Sequence, residues 1–259
     1  MQPTDFIDDS KKLHRVAAGL TNRASGVYGR TRPPRAVVRQ MGRQTQMAEL
    51  VSVNVGMPRE IDTSSGPVTT AIFKTPTHRR LRVEPHNVQG DRQADLSSHG
   101  GENKAVYGYP VEHYPLWSVE LDPKILEHGQ FGENLTTRGL LERDVCLGDV
   151  YSIGTVVLQI SQPRVPCFKL GIRMGDPRFV RTFLRSGRPG FYFRIVEPGE
   201  LGVGDAINRV ERGATDITVY ELWNLSFGDG TDVDRMKLAL EVPTLGDEWR
   251  RALLARSST

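Results

Sequence analysis

Apolar and polar residues alternate over short runs through most of this chain, and a helical spacing takes over only toward its C-terminus. In Ala48-Glu-Leu-Val-Ser-Val-Asn-Val-Gly56 the alternation at Val51, Val53 and Val55 predicts a first strand over 50–55. Further short runs predict strands over 71–74, 105–109, 150–153, 155–160, 191–196 and 206–211, with Gly and Pro between them. Two insertions read as helices. One spans 111–121, entered by Pro110, and the other 177–185, where Asp176 can cap and Pro177 occupies the first turn. Irregular spacing with few long helices points to a mainly β fold of the α+β kind, a compact and mostly antiparallel barrel or sandwich over 47–213.

From 214 to 259 the texture changes. The segments 216–223, 232–240 and 246–254 each open on an acidic residue or close to one and carry apolar residues at helical spacing, with Gly228, Asp229, Gly230 and Pro243 between them. This predicts a three-helix C-terminal module whose Leu222, Leu238, Leu240 and Leu253 are core residues. A helix-turn-helix docking role is the alternative.

Composition narrows the class. With 259 residues, 38% hydrophobic and 25% charged, the chain is neither collagen, coiled coil nor wholly disordered. No apolar run nears the roughly 18 residues of a membrane helix, so no membrane partner is expected. The net charge of +3 is unevenly spread. Residues 1–46 carry nine Lys or Arg against three Asp, whereas 47–259 carry 25 basic and 28 acidic residues. A uniformly basic nucleic-acid binder is therefore disfavoured. The first 46 residues lack apolar periodicity and read as a disordered basic extension, and Met47 offers a second start. Asp5, Asp8 and Asp9 argue against a transit peptide. Two cysteines cannot staple a domain of this size or hold a four-cysteine cluster, and a reducing cytoplasm is the simpler setting.

Three stretches could carry chemistry. Asp95-Leu-Ser-Ser-His-Gly-Gly101 suits a tight turn that presents the His99 imidazole and leaves the Gly100 and Gly101 amides open to an anion. Pro163-Arg-Val-Pro-Cys-Phe-Lys-Leu170 places Cys167 after two prolines that hold the chain away from helix, with Arg164 and Lys169 flanking the thiol. Nearby cations favour the thiolate, which is a nucleophile or a soft metal ligand. Gly129-Gln-Phe-Gly-Glu-Asn-Leu-Thr136 is a Gly-punctuated turn whose Glu133 and Asn134 could meet a polar ligand or cap the turn. Cys146 reads as structural, and His113 as a helix-face residue near a substrate mouth or simply solvated. Each motif also has a plain structural reading: a hydrogen-bonded turn histidine, a buried cysteine, an exposed Lys74 at a strand end.

Taken in order, Asp95-Leu-Ser-Ser-His-Gly-Gly101 with Lys104-Ala-Val-Tyr107, Phe131-Gly-Glu-Asn-Leu135, Leu147-Gly-Asp-Val-Tyr-Ser-Ile-Gly154 and Pro163-Arg-Val-Pro-Cys-Phe-Lys-Leu170 resemble the MOSC family, named for the C-terminal domain of molybdenum-cofactor sulfurases. Ile72-Phe-Lys-Thr-Pro76, Tyr109-Pro-Val-Glu-His-Tyr-Pro-Leu-Trp117 and the three-helix tail resemble its stand-alone, YiiM-like bacterial branch. The resemblance implies a β-barrel-like fold that binds the molybdenum cofactor, with Cys167 as metal ligand. It implies reduction of N-hydroxylated compounds, hydroxylaminopurine-type base analogues among them. His99 and Lys74 are then the candidate proton donors, and Gly100, Gly101, Asn134, Arg164 and Lys169 the cofactor contacts. Electrons are expected from a separate reductase partner, since no flavin fingerprint is present. A homodimer follows from base rate alone. The alternatives are a thiol hydrolase built on Lys74, His99 and Cys167 acting on amides or esters, and a carrier of the cofactor or its sulfur.

Overall fold

The computed structural model describes residues 48–96, 100–121, 125–228 and 232–257. The basic segment 1–46 lies outside them. The strands are β1 (Ala48–Val55), β2 (Arg59–Thr63), β3 (Gly66–Thr70), β4 (Thr75–Thr77), β5 (Leu81–Glu84), β6 (Asn87–Val88), β7 (Val106–Pro110), β8 (Leu135–Arg138), β9 (Val150–Ile153), β10 (Val156–Pro163), β11 (Phe191–Glu197), β12 (Gly199–Leu201) and β13 (Ala206–Glu211). The helices are α1 (His113–Glu120), α2 (Phe168–Met174), α3 (Phe179–Arg185), α4 (Val219–Phe227), α5 (Val233–Leu240) and α6 (Asp247–Ser257), with one 3-10 turn over Glu102–Lys104.

One sheet runs in the order β13-β9-β10-β11-β7-β8-β1, and β1 pairs again with β13, closing a barrel. Closure leaves those strands no free edges. Every barrel pairing is antiparallel except β7 with β8. Hairpins β2–β3 and β5–β6 stand off it, the latter extended by β12.

Strand β7 shows why the barrel has two cores. Val106 belongs to the barrel interior with Leu50, Leu135, Leu158, Phe191 and Phe193. Its neighbours Tyr107 and Tyr109 face a separate aromatic block with Trp117, Phe131, Phe179 and Phe183, which α1 and α3 complete. A two-residue period thus serves both faces of one buried strand. Gly108 between the tyrosines has no room for a methyl group, since a Cβ there would lie 2.8 Å from the Phe193 ring.

The C-terminal helices do not form a core of their own. Leu222, Trp223, Met236, Trp249 and Leu253 join the same cluster as the barrel strands, and α4 packs on β10. Leu222 and Leu253 are fully buried, and Leu238 and Leu240 are partly buried against that cluster. Thr218 and Asp232 cap α4 and α5 by accepting from the Glu221 and Arg235 amides.

Three expectations are corrected. No strand covers 71–74: β3 ends at Thr70 on β2 and β4 opens at Thr75 on β1, and between them the chain turns where the Lys74 amide donates to Ile72 O at 2.9 Å. The prolines before Cys167 hold the chain extended only as far as that residue, and α2 begins at Phe168. His113 is neither solvated nor at the mouth described below; it is buried, with Nε2 2.8 Å from Glu142 Oε2. No helix among the described residues is long and apolar enough to cross a membrane.

Candidate functional site

At one end of the barrel the chain segments that enter and leave several strands converge on a small open pocket of about 100 Å³. β10 delivers Arg164 just past its end, and α2 supplies Cys167 as its N-cap and Lys169 in its first turn. Tyr107 comes from β7, Tyr192 from β11, Asn134 from the turn before β8, and Lys74 and Asp91 from the loops around the small hairpins.

Lys74 enters this pocket as a buried ammonium. Its Nζ lies 2.5 Å from both Asp91 oxygens. Asp91 also accepts from the Gly56 amide at 2.8 Å and from Asn134 Nδ2 at 2.9 Å, so its carboxylate is held from three sides. Burial pushes the Lys74 pKa below the ordinary lysine value, and the Asp91 charge opposes that push. The result is an amine whose proton is more readily given up than that of a solvated lysine.

Asn134 spends its polar atoms on the protein. Besides Asp91, it accepts from the Tyr107 amide at 3.1 Å and joins β7 to its own turn through the backbone. Glu133 beside it is fully buried and accepts from the Gly129 and Phe131 amides, the Thr136 hydroxyl and the Tyr114 hydroxyl. This Gly-punctuated turn is a frame for Asp91, not a row of free donors. Gly129 is required there: its φ is +83°, and a Cβ would meet the Lys74 carbonyl at 2.9 Å.

Arg164 and Lys169 are cations of the pocket lining without an ion pair among the described residues. Arg164 is 6% exposed and its guanidinium lies 4.9 Å from the centre of the Tyr107 ring, yet Nη1 is buried with no hydrogen-bond partner. A buried N–H donor without an acceptor costs on the order of 1–3 kcal/mol, which a ligand oxygen would recover. Lys169, also buried, forms no ion pair among the described residues. Gln93 Oε1, from the same wall, is a further buried atom without a partner. Tyr107 and Tyr192 are raised above the ordinary phenol value by burial, so both hydroxyls stay protonated. Lys104 is held by Glu248 of α6 at 3.1 Å, and Gln162 donates to the same carboxylate at 3.0 Å. The C-terminal module therefore fixes one wall.

Lys74, Asn134, Arg164, Cys167 and Lys169 thus line one pocket, as their sequence motifs suggested together. Gly100 and Gly101 do not line it, and the Gly100 amide is already donated to Leu96 O at 3.1 Å. His99 lies outside the described residues. Cys146 pairs with Thr218 as an isolated bridge away from the pocket, its thiol raised by burial, in keeping with a structural role. Asp91, Gln93 and Glu248 escaped sequence reasoning, and Lys104 was quoted in a motif without a role. Asp91 sits in Gly90-Asp-Arg92, which has no local signature; only the fold brings it to a lysine 17 positions away.

Comparisons with known proteins agree with this architecture. The MOSC domain family model matches residues 95–208, and the YiiM-like, 3-alpha helix domain model matches 217–256. The uncharacterized protein YflK of Bacillus subtilis is 36% identical over 207 residues, covering 80% of this chain and 93% of that protein. A protein of Gibberella moniliformis named reductase is 39% identical over 150 residues; the match covers 57% of this chain but only 27% of that longer protein. The crystal structure of YiiM from Geobacillus stearothermophilus superposes with a TM-score of 0.68 at 34% identity, covering 81% of this chain and 99% of that one.

Proposed function

Because this chain belongs to the MOSC domain family in its YiiM-like branch, we propose that it is a molybdenum-cofactor-dependent reductase of N-hydroxylated compounds, supplied with electrons by a separate reductase partner. The net reaction is R–NHOH + 2 H⁺ + 2 e⁻ → R–NH₂ + H₂O. The fungal relative's name, reductase, supports the reaction class.

The donor set suits the cofactor. Cys167 offers a sulfur ligand of the kind molybdenum accepts, and Arg164 with Lys169 offers two cations for the pterin phosphate. The orphaned Arg164 Nη1 is the observation that carries the reading, because an oxyanion is what that buried N–H lacks. When bound, the cofactor supplies the two-electron chemistry at the N–O bond.

The chain's own residues supply the rest. Lys74, its pKa lowered by burial, holds a proton at Nζ that a departing oxygen can take, and Asp91 keeps that ammonium in place. The Tyr192 hydroxyl remains a neutral donor on the pocket wall, whereas the Tyr107 hydroxyl already donates to the Pro189 carbonyl at 2.8 Å. The aromatic block behind Tyr107 closes that side to water. His99 is the second proton donor in this proposal.

The test is elemental analysis on protein purified from a host that makes the cofactor, paired with reduction of a hydroxylamine by an artificial donor. Molybdenum near one per chain with turnover is expected. Protein that never takes up molybdenum, yet cleaves amides or esters, would replace this reading with the thiol hydrolase.

A further inference from the structure

Two arginines just outside the pocket wall have no role in what precedes. Arg59 on β2 lies 4.1 Å, and Arg173 on α2 5.1 Å, from the ring centre of one side chain, Phe73. Neither side chain lines the pocket itself, but residues adjacent to both do. Phe73 sits between Ile72 and Lys74, which line the pocket, and Arg59 is in register with Thr70, which also lines it. Arg173 lies in the last turn of the helix that Cys167 caps.

Neither arginine forms an ion pair among the described residues, and Arg173 Nε is buried without a partner. Sharing one ring keeps the two guanidinium carbons no further apart than the sum of 4.1 and 5.1 Å. Burial above all holds the Arg173 pKa below the ordinary arginine range; the Arg59 charge adds to that, while Glu133 and Glu127 oppose it without bonding to it. The contact with Phe73 orients both guanidiniums but does not neutralise them. Two mutually repelling cations and one unpaired buried N–H describe a place where an oxyanion is missing.

We propose that Arg59 and Arg173 form an outer anion station that takes the phosphate of the substrate, so that the preferred substrates are phosphorylated N-hydroxylated compounds, nucleotides where the reacting group is a base. This deepens the reductase reading and rests on it for the reacting group. The inner cations, Arg164 and Lys169, are left to the cofactor. Guanidinium groups suit a phosphate because they offer paired N–H donors in one plane.

The experiment is calorimetric titration of the full-length chain with adenosine 5′-monophosphate and with adenosine, repeated on Arg59→Gln, Arg173→Gln and the Arg164→Gln/Lys169→Gln double variant. Arg59 is an exposed side chain, so its variant keeps the test open if Arg173→Gln fails to fold. The monophosphate is expected to bind at least about tenfold more tightly than the nucleoside, the preference falling about fivefold or more in each single variant and persisting in the inner double variant. A preference that survives Arg59→Gln and vanishes in the inner double variant would overturn the outer station. So would the absence of any monophosphate binding. Titration needs no turnover, so a protein inactive as a reductase that keeps an Arg59-dependent preference sinks the reductase reading alone.

Discussion

Replacing Asp91 by Asn tests the electrostatic centre of the pocket most directly. The carboxylate is 3% exposed and meets Lys74 Nζ, Asn134 Nδ2 and the Gly56 amide. In Asp91→Asn the Lys74 ammonium stays buried without its counter-charge, and the new amide nitrogen faces groups that are themselves donors. Breaking a buried pair in this way costs about 3–5 kcal/mol. Lys74→Met should cost less, about 2 kcal/mol, because the remaining carboxylate keeps its other two donors. The pH dependence has a definite sign. Burial already holds the folded Lys74 pKa low, so the unfolded chain binds that proton more tightly, and this residue's contribution to stability rises with pH toward the ordinary lysine value of about 10.4. Without Asp91 the folded pKa falls further, so the deficit of Asp91→Asn is largest near neutrality and narrows as pH rises. Urea unfolding at pH 7 and near pH 10 measures both. A Lys74→Met variant as unstable as Asp91→Asn at pH 7, or a deficit that does not narrow, would refute the reasoning.

Three other variants probe separate claims. Cys167→Ala should abolish molybdenum retention while costing less than about 2 kcal/mol of stability, since only one small buried atom is lost; unchanged metal content by elemental analysis would remove Cys167 as ligand. Gly190→Ala should lower the melting temperature by about 4–8 °C, because φ there is +64° and the new methyl would meet the Gly108 carbonyl at 2.6 Å, together worth about 2 kcal/mol; a calorimetric scan matching the parent would contradict the close approach. Glu248→Ala should cost about 1–3 kcal/mol in urea, because the buried Gln162 amide loses its acceptor and Lys104 its carboxylate, and an unchanged midpoint would mean the bridge is not made in solution.

Much of the barrel was legible because its strands obey a local rule. The expected 206–211 strand coincides with β13, and the expected 50–55, 150–153 and 191–196 strands fall within β1, β9 and β11. Failures cluster where long-range contacts override local preference. At 71–74 the apolar run reads as strand, yet Lys74 is drawn to Asp91 and the chain turns between β3 and β4. Hairpin β2–β3 was missed because Arg-Glu-Ile-Asp-Thr offers one apolar residue and its burial pattern is mostly exposed. For the site, Cys167, Arg164 and Lys169 were legible because they lie close in sequence. Asp91 and Glu248 were not, because a buried carboxylate is recognised by what it touches, and nothing local announces those partners.

The core shared by the barrel and the last three helices changes what a sequence boundary means here. A change of texture at residue 214 marks off a three-helix module, but Trp223, Met236, Trp249 and Leu253 sit in one apolar cluster with Leu158 and Ile160 of β10. Cutting the chain there would bare the outer layer of that cluster to water, a large apolar patch of the kind that drives aggregation. The barrel and its helices should accordingly melt as a single cooperative unit, and limited proteolysis near 214 should yield fragments that stay together until both unfold. Through Glu248 the same unit reaches Lys104, so the integrity of the C-terminus is transmitted to the pocket wall.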